Sequence, residues 1–272
     1  MIDLFRAEVP NVMLTAYDED TGVPVDSIDV TREQLGERQE FVWRLPRGRY
    51  NVVSWGGVYG RHVVKTGADF GGHRMRIAGD TVGQMEEHVW HHCLPGMTVD
   101  ADSTRTYQVD LHKLTNNILV RVVSANGALL EYPTTASISV TDGEYDGQRN
   151  MTAVTPTLYL PDTKSAADSL SHEHFFITLR LHRDDDSRLT VAYGEVRSRS
   201  DDLRGNDDDG DEVMNIYDGP LSLLLAEKPY ADLDLADEWD LEFQIEPGPP
   251  GAFSVTVSVN GWTIRQYDVS LQ

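Results

Sequence analysis

The sequence predicts an all-β protein made of two β-sandwich domains in tandem, with little helix. Short runs of alternating apolar and polar residues, separated by turn residues, recur from end to end, a pattern of sandwiches rather than of parallel α/β sheets. The vocabulary of the first half returns in the second, and 272 residues suffice for two domains of ordinary size. The best helix candidate, PLSLLLAEKP at 220–229, is short and bounded by prolines.

In chain order, the first run places Val12, Leu14 and Ala16 on one face, enters the polar connection Asp18-Glu19-Asp20-Thr21-Gly22 and returns from Pro24 to Val30. Thr31-Arg32-Glu33-Gln34 reads as a capping box, Thr31 as N-cap and Gln34 at N3, opening only a turn or two before Gly36. A strand is expected over EFVWRL, 40–45, alternating Phe41, Trp43 and Leu45, with a turn at Pro46-Arg47-Gly48. RYNVVSWGG follows, with Tyr50 and Val52 on one face and Val53 and Trp55 on the other, until Gly56 and Gly57 stop it. The stretch from Val58 to Thr98 is less periodic. TYQVDLHKL, 106–114, then alternates Tyr107, Val109 and Leu111, and NILVRVVSA begins a few residues later. The domain boundary is placed near Leu114 to Asn117, giving domains 1–115 and 116–272.

The second half offers SISVTDG, TLYLPD, FFITLRLHR, LTVAYGEV, DLEFQI and FSVTVSV as strands. It closes on SVTVSVNGWTIRQYDVSLQ, where Asn260-Gly261 suits a type I′ turn because both residues tolerate positive φ. Val255, Val257 and Val259 alternate before that turn, and Trp262, Ile264 and Tyr267 follow it, so one face is expected buried and the other wet.

Charge and cysteine content exclude several functions. With 45 acidic against 23 basic side chains the formal net charge is -22, which opposes nucleic acid and anionic lipid. Cys93 is alone, so no intrachain disulfide forms and no multi-cysteine zinc spacing exists. No apolar run reaches the length of a membrane span, and MIDLFRAEVPNVML lacks the basic segment and apolar core of a secretory signal. Either the protein stays inside the cell or an export segment has been removed, and the immediate strand-like start favours removal.

Candidate chemistry is sparse. GNDDDGDEV, 205–213, concentrates carboxylates that suit calcium, but aligning Gly210 to the EF-hand glycine puts Gly205 and Ile216 at ligand positions, and neither offers a side-chain oxygen. A solvated hairpin tip is the plainer reading of Asp207 to Asp211, and of Asp184-Asp185-Asp186. In EEHVWHHC, a strand places His88 and His92 on one face and His91 and Cys93 on the other, while His172 and His174 of SHEHFF point one way without a third ligand. No HExxH, GxSxG elbow or phosphate-binding glycine loop occurs, so no catalytic, cofactor or metal residue is assigned and no enzyme is expected. Trp43, Trp55 and Trp262 occupy strand positions and are expected as core anchors rather than a sugar-stacking platform.

Taken together, LTAYDEDTGVPVDSIDVTREQLG, LPRGRYNVVSWGG, VDLHKLTNNILVRV, ISVTDGEYDGQ, PYADLDLADEWDLEFQI and VTVSVNGWTI resemble, in order, the fimbrillin-A associated anchor proteins of Bacteroidales, lipoproteins that fix type V pili to the outer membrane. The resemblance implies two transthyretin-like, Greek-key β-sandwich domains, export, lipidation at an N-terminal cysteine and display at the cell surface. That cysteine is not in this sequence, and Cys93 does not match it. The implied role is a non-enzymatic anchor or base subunit that limits pilus length and supports cell adhesion, with pilus subunits bound by β-strand addition. The terminal hairpin is then expected to seal its own domain rather than be donated. The alternative is a calcium-dependent or carbohydrate-binding adhesin using the acidic loops and exposed tryptophans.

Overall fold

The computed structural model describes residues 8–60, 62–79, 81–82, 88–100, 104–127, 130, 132–165, 170–182, 186–194, 213–247 and 252–270. Strands dominate them, with two short helices, so the all-β expectation holds. The chain divides into two compact units, Met1–Thr115 with Thr141–Thr157, and Asn116–Val140 with Leu158–Gln272.

In the first unit, β1 (Asn11–Asp18) and β2 (Pro24–Thr31) form the expected hairpin, and α1 (Arg32–Leu35) follows. The capping box is present: Gln34 N donates to Thr31 Oγ1 at 3.4 Å and Thr31 N to Gln34 Oε1 at 2.8 Å. Next come β3 (Gly48–Gly56), β4 (His62–Lys65), β5 (Arg74–Ile77), β6 (Thr81–Val82), β7 (Trp90–Val99) and β8 (His112–Lys113). The main sheet runs β2-β1-β3-β7-β8, antiparallel throughout. Val12, Leu14, Ala16, Tyr50, Val52 and Met97 build a core on one of its faces.

Two expected strands do not pair as strands. Residues 40–46 belong to no ladder, although Phe41, Trp43 and Leu45 lie against that core as their alternation demands. Residues 104–111 are likewise unpaired, only His112 and Lys113 joining β7, and of the expected face Leu111 lies against that core while Tyr107 is exposed. Alternation reports which side chains are buried, whereas a ladder also needs a free neighbouring edge in register.

In the second unit β9 (Thr115–Ser124) pairs in parallel with β16 (Glu238–Pro247). Between them lie β10 (Thr134–Asp146), β11 (Met151–Tyr159), β12 (Asp162–Ser165), β13 (Ser171–Leu179), β14 (Arg188–Gly194), β15 (Val213–Pro220) and α2 (Leu221–Ala226); β17 (Ala252–Val259) and β18 (Trp262–Ser270) close the chain. One sheet runs β12-β13-β9-β16-β17-β18. The start of β10 pairs with β14, and β14 with β15, to make the opposing layer. Ile118, Val120, Leu241, Phe243, Val255 and Val257 are fully buried, each worth about 1.5–3 kcal/mol of transfer free energy.

The terminal hairpin forms as predicted, with φ of 47° at Asn260 and 78° at Gly261 and a ladder from Ala252↔Ser270 to Val259↔Trp262. Asn260 also ties the turn to β16: its N–H donates to Asp240 O at 2.7 Å and its Oδ1 accepts from Asp240 N at 2.6 Å. On the other side Tyr267 Oη donates to Ile216 O of β15 at 2.6 Å.

Residues 141–157 group with the first unit, whereas the linear division put them in the second domain. β10 accounts for the difference. Thr134 to Ser139 pair with β14, but Glu144 to Asp146 pair with β5, and Gly147 N donates to His73 O at 3.1 Å. One continuous strand thus serves both units, a choice made by partners far away in sequence.

Candidate functional site

The histidines of EEHVWHHC, candidates for metal chemistry, are held by internal hydrogen bonds. His88 Nδ1 lies 2.8 Å from Thr115 Oγ1 and His92 Nδ1 is 3.0 Å from Asp110 O. On the opposite face of β7, His91 is buried with Nε2 3.0 Å from Gly147 O, so that nitrogen carries the proton. Burial pushes the His91 pKa down to about 4 and raises that of the half-buried Cys93 thiol. Among the described residues no three histidine, cysteine or acidic side chains converge as a metal site.

A second buried site was missed by sequence reasoning because its members are far apart along the chain. Trp55 Nε1 donates to His73 Nε2 at 2.7 Å, and Tyr17 Oη lies 2.6 Å from His73 Nδ1. An indole N–H can only donate, so the single proton of neutral His73 must sit on Nδ1 and point at Tyr17. A second proton would face the Trp55 N–H. Burial holds His73 at a pKa of about 4 and pushes Tyr17 up to about 12. The His73 and Trp55 rings are coplanar to within 5°, joined edge to edge by that hydrogen bond with centroids 6.2 Å apart, and the Trp55 and His91 ring centroids are 4.4 Å apart. No local signal marks this network.

In the second unit His172 and His174 do point the same way, as expected. Thr134 Oγ1 sits 3.1 Å from His172 Nδ1 and 2.8 Å from His174 Nε2, and Thr163 Oγ1 is 3.0 Å from His174 Nδ1. The pair is neutral, burial lowering both pKa values, His174 to about 4. The acidic loop Asp207 to Asp211 and the residues Asp184 and Asp185 lie outside the described residues.

Of the tryptophans, Trp55, Trp90 and Trp239 are buried, and Trp43 lies half-buried with Nε1 donating to Asp26 Oδ2 at 2.7 Å. Trp262 departs from its expected role as a core anchor: it is 54% exposed. It begins β18, the outermost strand of its sheet, where a strand position no longer guarantees cover on both sides. A single exposed indole offers no coplanar pair for sugar stacking.

Sheet edges are the remaining candidates for recognition. β2 is blunted by Pro24, Asp26 and Asp29, and β18 is held by Tyr267 and by Arg265, whose Nε reaches the two Glu227 carboxylate oxygens at 2.9 and 2.8 Å. The outer edge of β7 is different. Beyond His91 no backbone hydrogen bond joins it to 104–111 among the described residues. Instead Tyr107 Oη donates to Thr98 O at 2.6 Å and accepts from Thr98 N at 3.0 Å, so one exposed phenol occupies both groups that a neighbouring strand would bind.

The architecture has solved counterparts. A candidate polysaccharide-binding protein from Bacteroides thetaiotaomicron VPI-5482 superposes with a TM-score of 0.75 at 16% identity, over 97% of this chain and 92% of that one. The fimbrial anchor protein Mfa2 from Porphyromonas gingivalis gives 0.69 at 19% identity, over 96% and 92%. A candidate adhesin from B. thetaiotaomicron gives 0.68 at 20% identity, over 96% and 91%. Comparison with curated protein sequences finds no match. These likenesses define the class, a β-rich protein with the fold of surface adhesins and fimbrial proteins. The family is narrower: the model of the fimbrillin-A associated anchor proteins Mfa1 and Mfa2 matches residues 2–268, and the chain belongs to that family. Membership carries with it an association with cell-surface fimbriae and a structural, adhesin-like role.

Proposed function

We propose that the chain is the anchor or base subunit of a type V pilus, a non-enzymatic protein that seats the fimbria at the outer membrane, limits its length and supports cell adhesion. The family match across residues 2–268 carries this reading. Export as a lipoprotein precursor and attachment through a lipid on an N-terminal cysteine complete it. Fimbrial subunits are the partners and β-strand addition is the mode, backbone hydrogen bonds supplying affinity and alternate side chains supplying register.

The receiving edge we assign to β7. Displacing 104–111 there breaks few hydrogen bonds, and those of Tyr107 are exposed, each worth about 1 kcal/mol net. β18 is already paired along its length with β17, which suits a receiver better than a donor.

Cells lacking the protein should shed fimbriae, and those fimbriae should be longer than normal. Fimbriae that stay attached at unchanged length would refute the anchor reading. Purified chain and fimbrial subunit should also co-elute, and hydrogen exchange at Thr98 should slow in the complex; a complex that leaves Thr98 unchanged moves the interface away from β7.

A further inference from the structure

The second unit displays apolar side chains where folding alone gives no reason for them. In α2, Leu221, Leu224 and Leu225 are buried while Leu223 is 53% exposed. In the loop after it Leu233 is buried, but Leu235 is 78% exposed and Tyr230 is fully exposed at 101%. Tyr230 also has φ of 60°, a left-handed conformation that disfavours a bulky side chain and suits glycine. Neither contacts nor backbone preference account for a tyrosine here.

The loop is nonetheless built to hold these groups still. Ala231 N donates to Lys228 O at 3.1 Å and Ala236 N to Asp232 O at 2.9 Å, while Asp232 Oδ1 accepts from Asp234 N at 3.0 Å and Leu235 N at 3.2 Å. Asn116 Nδ2 donates to Ala236 O at 2.8 Å, and Arg180 bridges Asp234 O and the Asp237 carboxylate. A partner meeting exposed apolar groups on a pre-ordered loop spends little of its binding energy on ordering them.

Charge selects the partner. Of the six carboxylates in 227–240, Glu227, Asp237 and Asp240 are paired with Arg265, Arg180 and Arg121, while Asp232 and Asp234 line the depression with no arginine or lysine ion pair among the described residues, in a chain of net charge -22. A depression of about 250 Å³ at this loop is lined by Ala226, Ala231, Asp232, Leu233 and Asp234. The Asp234 side chain is 78% exposed, and its contact with His182 Nδ1 is 3.3 Å long. A second copy of this chain, or an anionic membrane, meets like charge here. A cationic side chain flanked by apolar ones meets Asp232 and Asp234 between the exposed Tyr230 and Leu235, and a planar guanidinium suits carboxylates best.

We propose that Tyr230 and Leu235, with the acidic depression that Asp232 and Asp234 line between them in sequence, form a docking surface for a protein segment presenting arginine between apolar side chains. This surface works through side chains and is independent of the strand-addition reading.

The test uses the full chain, labelled with nitrogen-15, and a synthetic peptide of alternating leucine and arginine. Shifts should be confined to 226–237, absent with an alternating leucine and glutamate peptide, and weakened by about tenfold or more in Tyr230→Gly. Because glycine relaxes the positive φ, this variant should melt at the same temperature or higher while binding worse. Leu235→Ser, at an exposed position, should lower affinity without lowering the melting temperature. Shifts scattered over the acidic surface, equal binding by Tyr230→Gly, or self-association through this face in sedimentation would each overturn the proposal.

Discussion

Acidification should destabilise the first unit through histidines that the fold keeps neutral. His62, His73 and His91 are buried there, and burial lowers each pKa from 6.5 to about 4. The unfolded chain takes up protons as the pH falls through 6.5, whereas the folded state resists until about 4. Stability is therefore complete above 6.5 and drains away between those values. Linkage gives about 1.4 kcal/mol per pH unit for each such histidine, so about 2 kcal/mol each by pH 5 and of order 6 kcal/mol for three. That rivals the whole stability of an ordinary domain, about 5–15 kcal/mol. Carboxylates confuse the absolute trend, since protonating them relieves the repulsion of a chain at -22. The difference between wild type and His73→Gln removes that confusion. Glutamine can accept from Trp55 through its oxygen and donate to Tyr17 through its nitrogen, yet it does not titrate. Urea unfolding from pH 7.5 to 4.5, followed by tryptophan fluorescence, should show the variant losing less stability, by a slope near one proton. Equal slopes would refute the neutral state that burial imposes on His73.

Three further outcomes follow from local geometry. At Gly57, φ is 70° and an added Cβ would lie 2.1 Å from His88 O, so Gly57→Ala should cost about 3 kcal/mol or more or prevent folding, read from soluble yield and melting temperature. Asn260→Ala loses both a residue tolerant of φ 47° and the side-chain acceptor for Asp240 N, and should lower stability by about 1–3 kcal/mol in chemical denaturation. Tyr107→Phe removes the oxygen shared by Thr98 N and O; amide exchange at Thr98 should accelerate markedly while global stability falls by no more than about 1 kcal/mol.

Much of the fold was legible locally. The capping box at Thr31 and Gln34, the Asn260-Gly261 turn and the buried valines of β17 are stated by residues close together in sequence, because they concern backbone dihedrals and side-chain direction. The same alternation named Phe41, Trp43 and Leu45 as inward-facing, and they are, though their segment pairs with no strand; of Tyr107, Val109 and Leu111 it is Leu111 that packs on the core, while Tyr107 is exposed. The family resemblance, too, was visible from the order of short segments, and the match over residues 2–268 bears it out.

Pairing and hydrogen-bond partnership were settled only when distant parts met. His73 takes a proton donor 18 residues away and faces a phenol 56 residues away, and His91 finds its carbonyl 56 residues away. No window of sequence contains both members. For the same reason β10 could be recognised as a strand but not as one serving two units, and Trp262 as a strand residue but not as one on an outermost strand. Dihedral preference and burial periodicity are properties of a short stretch of chain, whereas a ladder partner or a proton's position depends on which surfaces the closed fold brings within about 3 Å.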